Sequence, residues 1–366
     1  MNKPIRRELT TIISLATVWT FLGGACSGPP PSARPSSSAI TIASAAPELT
    51  SVPSDAFEAG PFAPSVIAFL DRDHGLAGGQ IGPGDTAKGA IAVTLDGGVT
   101  WAITPPVPRV ATAITAVGHH AWALTSCPNE PEAGCGALLH SADAGETWDV
   151  LATTGEVRPI GGTLSFVDAT TGWAVGSERS GGDTVPGLGR NQLLTTTDGG
   201  STWSAGPIPC GQDWPDLVAI QFVDPERGWA VCSGQGSGTM APTQVLETRD
   251  GGGTWHERSS AANFGGPARL VGRPPSGPVA GAFFTAGGHG WVWQARSGTQ
   301  RSLDGGETWD FAPPGRSEED FVSSMSFISE TAGFAMYSST QRQALVLGAT
   351  EDGGDHWRVV QSWPNR

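Results

Sequence analysis

Tyrosine is nearly absent from this 366-residue chain: there is one, Tyr337, against 14 Trp. Basic residues are also scarce, 21 Lys and Arg against 35 Asp and Glu, for a formal net charge of −14. A surface of that sign repels nucleic acid, and no basic stretch interleaved with aromatics offsets it, so nucleic-acid binding is not expected. The 5 Cys show no Cys-x-x-Cys spacing. That removes the usual framework of a structural zinc site, and neither a metal nor a cofactor is expected. The leading apolar run, Ile12–Ala25, is only about fourteen residues long and too short to span a bilayer. Behind Lys3, Arg6 and Arg7 it reads as a secretory signal peptide, residues 1–25. With 52 Gly and 29 Pro, helix is improbable beyond that leader.

What the chain does contain is one turn written six times. The copies are Thr94–Trp101, Ser141–Trp148, Thr196–Trp203, Thr248–Trp255, Ser302–Trp309 and Thr350–Trp357, each reading Ser/Thr-x-Asp-x-Gly-x-Thr-Trp except for His356 in the last. Their tryptophans are 47, 55, 52, 54 and 48 residues apart. A period near fifty with a fixed turn marks a propeller, one blade per repeat. Asp96, Asp143, Asp198, Asp250, Asp304 and Asp352 are expected to accept hydrogen bonds from the turn backbone and from the hydroxyl two residues earlier. The Gly two residues after each Asp is expected at positive φ. Each Asp is satisfied within its own turn, and the six lie in six blades, so the pattern reads as structural and not as a metal site.

A second pattern precedes each turn. Phe166-Val-Asp-Ala-Thr-Thr-Gly-Trp-Ala-Val175 and Phe222-Val-Asp-Pro-Glu-Arg-Gly-Trp-Ala-Val231 are the clearest copies, and blade 2 keeps only Val117-Gly-His-His-Ala-Trp122. Each unit is therefore strand A, turn, strand B, loop, strand C, aspartate turn, strand D. The fold expected is an all-β propeller of six four-stranded antiparallel blades over residues 61–366. The alternative is seven blades, with residues 39–60 and a C-terminal piece making a degenerate one.

Between leader and propeller, residues 26–60 are rich in Pro, Ser and Ala and read as a disordered tether. The leader ends Leu-Gly-Gly-Ala-Cys26, which resembles a bacterial lipobox and implies lipid attachment at Cys26, with simple secretion as the alternative. Export makes disulfides reasonable for the remaining cysteines. Cys127 and Cys135 flank the B–C loop of blade 2. Cys210 lies just beyond strand D of blade 3, and Cys232 ends strand B of blade 4. The pairs Cys127–Cys135 and Cys210–Cys232 are expected.

The topology puts A–B turns and aspartate turns on one face, and B–C loops and D–A links on the other. The second face carries the long individual insertions, where a ligand or partner site is expected. Trp214 beside Asp213, with Arg179, Arg190, Arg269, Arg273 and Arg316, maps there. Trp214 either stacks on a ligand or fills the channel mouth.

The turn resembles the Asp-box, the bacterial neuraminidase repeat. Resemblance to sialidases implies three arginines, a Tyr–Glu nucleophile pair and an acid/base Asp. The first Arg of such enzymes sits in a Phe/Tyr-Arg-Ile-Pro motif in the first blade, where this chain has Val66-Ile-Ala-Phe-Leu70. Val157-Arg158-Pro159-Ile160 is a scrambled echo in a D–A link. Tyr337, after strand B of blade 6, is the one piece of that set in view. The whole repeat is similar to the photosystem II assembly and stability factor family and its bacterial relatives, over about 300 of the 366 residues. That resemblance implies an exported, non-enzymatic propeller that binds another protein, and a monomer is expected. The function expected is thus a lipid-anchored protein-binding or assembly module at the cell surface, touching the membrane only through its anchor. A carbohydrate-binding or sialidase-like propeller is the alternative.

Overall fold

The computed structural model describes residues 62–82, 88–104, 107, 109–125, 137–151, 157–178, 192–234, 241–261, 277–294, 298–314 and 320–364. Every regular element among them is a β-strand, and these form six antiparallel sheets of four. Six is therefore the blade number, and the seven-bladed alternative falls away. Strand A of each blade is β1 (Phe62–Phe69), β5 (Ala111–Val117), β9 (Val157–Phe166), β13 (Asp216–Phe222), β17 (Val279–Phe284) or β21 (Asp320–Phe327). Each is followed in spatial order by its own B, C and D strands, so no strand is exchanged between blades among the described residues. The Val157–Ile160 segment, expected in a D–A link, is instead the start of β9.

The aspartate turn is built the same way six times. In blade 1, Asp96 Oδ1 accepts from the Thr94 hydroxyl (2.9 Å) and the Thr100 N–H (2.8 Å), and Oδ2 accepts from the Thr100 hydroxyl (2.6 Å). Thr94 Oγ1 in turn accepts the Gly98 N–H at 2.8 Å. In blade 6, His356 takes the place of the threonine. Its backbone N–H meets Asp352 Oδ1 at 2.9 Å and its Nδ1 meets Oδ2 at 2.7 Å, so the imidazole makes the bond that the threonine hydroxyl makes elsewhere.

Both residues after the Asp are left-handed, not the second alone: Gly97 and Gly98 have φ of 69° and 90°. The first of them hands its N–H to the A–B turn of the same blade, as Gly97 does to the Asp73 carbonyl at 2.8 Å, which fixes both turns on one face. In blade 2 the first position is Ala144, at φ 58°. A Cβ in that region is costly, so we expect Ala144→Gly to stabilise the protein by about 0.5–1 kcal/mol in denaturant melts, the strain relieved exceeding the added unfolded-state entropy.

Aromatic stacks join the blades. Trp122, Trp173, Trp229 and Trp291 of strands B lie flat on Phe166, Phe222, Phe284 and Phe327 of the next strand A, with centroids 3.8, 3.7, 4.9 and 3.6 Å apart. The tryptophan of each following aspartate turn meets the same Phe edge-on at about 6.1–6.2 Å. Three of the strand-B indoles also donate to the next blade's turn: Trp122 to Gly199 O, Trp173 to Gly251 O and Trp229 to Gly305 O. At the fifth junction Arg301 takes the Gly353 carbonyl, at 2.7 Å, and the Trp291 indole N–H has no partner.

The same logic closes the ring between blades 6 and 1. Phe334 stacks on Phe69 at 3.6 Å, and the Ser324 and Ser326 hydroxyls accept the N–H groups of Ile67 and Phe69 at 3.1 and 2.9 Å. Arg72 pairs with Glu351 at 2.7 Å.

Candidate functional site

Six strands A surround a central channel with a cavity of about 290 Å³. Each blade contributes to the wall, for example Val66, Ile114, Thr163, Gln221, Ala282 and Ser324. The described wall residues are aliphatic, aromatic, hydroxyl or amide; none carries a titratable side chain. Hydroxyls from one strand A cap the inner backbone edge of the next, as Ser165 Oγ does for the Phe222 N–H at 2.8 Å. Trp293 closes part of the wall by lying against Gly281. A Cβ there would sit 2.3 Å from the indole, so only glycine admits the ring.

Tyr337 does not reach this channel. It lies within strand B of blade 6 (Gly333–Ser339), not after it, and is packed among Trp291, Trp293, Val322, Met325 and Phe327. On the face away from the aspartate turns, Asp213 is exposed and Trp214 is half-buried. The Trp214 ring packs against the core around Leu217 and Cys232, and its buried indole nitrogen has no hydrogen-bond partner. Cys210 and Cys232 form the expected disulfide, with Cα atoms 5.6 Å apart, pinning the link into blade 4 to strand B of that blade. Arg179, Arg190, Arg269, Arg273 and Arg316, the Cys127–Cys135 pair and Cys26 all lie outside the described residues.

On the opposite face the structure gathers residues that sequence spacing does not flag. Glu247, almost fully buried on strand C of blade 4, holds Arg227 at 2.8 Å and lies within 3.4 and 3.7 Å of Arg249 and Arg258. The Arg227 guanidinium rides on the Trp229 ring at 4.5 Å. In blade 2, His120 and His140 come together from neighbouring strands; their 20-residue separation matches no motif.

The six turn aspartates all titrate low. At Asp96, Asp143 and Asp304 partial burial pushes the carboxyl up, and hydrogen bonds from the flanking Thr and Ser side chains and backbone outweigh it. At Asp198 and Asp250 the bonds from Thr202 and Thr254 dominate outright, and Asp250 falls from the ordinary 3.8 to about 2. At Asp352 the His356 N–H and imidazole do the same. A depressed carboxylate stabilises the fold fully above its unfolded pKa, and that stability is lost as pH falls through the folded value. We therefore expect Tm to be flat near neutrality and to drop between about pH 4 and pH 2, with Asp250→Asn flattening its share of the drop.

No family model matches the chain, and no curated protein matches it. Solved structures do. The α-L-arabinofuranosidase Arb93A from Fusarium graminearum, in complex with an iminosugar inhibitor, is 14% identical, covering 79% of this chain and 92% of its own, with a TM-score of 0.50. YCF48 from Cyanidioschyzon merolae is 17% identical over 81% and 84%, with a TM-score of 0.46. YCF48 bound to a D1 peptide is 15% identical over 82% of each chain, with a TM-score of 0.45. At these identities the likeness is at most one of fold, and the chain's own six four-stranded sheets make it a six-bladed β-propeller.

Proposed function

We propose that the protein is an exported, non-catalytic Asp-box propeller, anchored to the extracytoplasmic side of the membrane through Cys26, that binds another protein by taking an uncharged, extended segment of it at the channel mouth. The observation that carries this reading is the neutral channel wall of aliphatic, aromatic, hydroxyl and amide groups along the inner strands. Such a wall offers backbone-like hydrogen bonds and apolar contact, the currency of extended-peptide recognition. The packing of Tyr337 in the core supports the same reading, because general acid–base and nucleophilic chemistry need groups that reach the substrate. The resemblance of the repeat to the photosystem II assembly and stability factor family points the same way.

The test is binding of a peptide array and a glycan array to the full chain, native and with Ala282→Arg, which puts a charge into the channel. Peptide binding lost in the variant with Tm retained supports the reading. Saturable glycan binding abolished by Trp214→Ala, or peptide binding indifferent to Ala282→Arg, overturns it. Cys26→Ser should release the protein from the membrane fraction.

A further inference from the structure

In blade 2, β6 (His120–Thr125), β7 (Leu138–Ser141) and β8 (Asp149–Leu151) run side by side. His120 and Trp122, two residues apart on β6, share a face of the sheet. The register sets His140 opposite Trp122, and Asp149 opposite His140. Side chains from three adjacent strands therefore gather on the face where Trp122 stacks on blade 3. The two imidazoles converge: His120 Nδ1 lies 3.0 Å from His140 Nε2, with the ring planes 14° apart. Both rings are half-buried, which leaves them reachable from solvent. Burial, then the neighbouring His120, hold His140 below the ordinary histidine range against the opposing pull of Asp149.

Two metal–nitrogen bonds of about 2.0–2.1 Å place their nitrogens about 2.9 Å apart at a right angle and about 3.4 Å apart at the tetrahedral angle. The observed separation falls inside that bite. We propose that His120 and His140 form a binding site for one divalent transition-metal ion of the zinc, nickel or copper class. Two imidazole nitrogens suit those ions, and water fills the remaining positions. Asp149 supplies the compensating negative charge beside His140. No three His, Cys, Asp or Glu side chains converge among the described residues, so the site is open and exchangeable and does not hold the fold together. The proposal departs from the sequence expectation of no metal, which rested on cysteine spacing and on turn aspartates satisfied within their own turns, and it is independent of the reading of the channel.

The test uses the untagged full chain, titrated calorimetrically with Zn²⁺ at neutral pH and examined with Cu²⁺ by electron paramagnetic resonance. The expected result is one saturable ion per chain, two-nitrogen coupling in the copper spectrum, and release on acidification. H120Q and H140Q should each weaken binding roughly tenfold or more, while H119Q, on the adjacent exposed turn residue, should not. Should H140Q fold poorly, H120Q and the pH release decide. Absence of saturable binding at about millimolar metal, or binding unchanged in H120Q, means that the two rings share only a hydrogen bond and overturns the proposal.

Discussion

Trp229→Ala is expected to destabilise the protein by about 3–5 kcal/mol, the range for deleting a large buried aromatic. The side chain is fully buried between blades 4 and 5, stacked on Phe284 with its ring 2° from parallel. Its removal empties a space walled by Val231, Val245, Val292 and Trp309. It also strips Arg227 of the ring beneath its guanidinium. The Gly305 carbonyl keeps the Arg258 Nε as a donor, so the loss is chiefly one of packing and not of an orphaned acceptor. At the usual unfolding entropy per residue the loss amounts to roughly 5–8 °C in Tm. Trp229→Phe, which keeps a ring in the stack, should fall between. A melting temperature unchanged by the alanine would mean that the blade junctions do not carry the stability assigned to them.

Removing the Cys210–Cys232 crosslink, by reduction or as the double alanine variant, is expected to cost about 3 kcal/mol. The loop closed spans 22 residues, and loop-closure entropy of the unfolded chain sets that scale. Cys232 is fully buried, so reduction in the native state should be slow and should accelerate under partial denaturation. The structural effect should be local. Hydrogen exchange ought to rise across residues 207–216, where Trp214 rests on the core beside Cys210, and remain unchanged in blades 1 and 6. Uniform loss of protection around the ring would contradict a clamp confined to one link.

The fold was legible because its signals are local. An aspartate turn closes within eight residues, so the hydroxyl of Thr196 and the carboxylate of Asp198 could be matched to roles by spacing alone. Cys210 and Cys232 were readable because one lies in the link that leads into blade 4 and the other at the end of strand B of that blade. The closure of the ring was not. Ser324 meets Ile67 across 257 residues, and a serine on a strand announces nothing about so distant a backbone N–H. The left-handed first position of the turn was hidden for a similar reason: its N–H answers to the A–B turn, which lies outside the motif. Tyr337, placed by the spacing after strand B of blade 6, is buried because the strand runs on to Ser339. The histidine pair escaped because cross-strand neighbours depend on the length of the loop between them, not on any fixed interval.

The seam between blades 6 and 1 carries a broader implication. Many closed architectures lock by lending a strand across the gap, which makes the chain ends a privileged place. Here, among the described residues, the last joint repeats the ring-on-ring stack of the four joints from blade 2 to blade 6, with hydroxyls against backbone and an ion pair at the rim. The wheel therefore has no keystone. Each blade is a complete tile, and where the polymer happens to be cut is a matter of genetics more than of mechanics. New termini placed in a link between tiles, with the old ones tied together, are expected to leave the described joints in place.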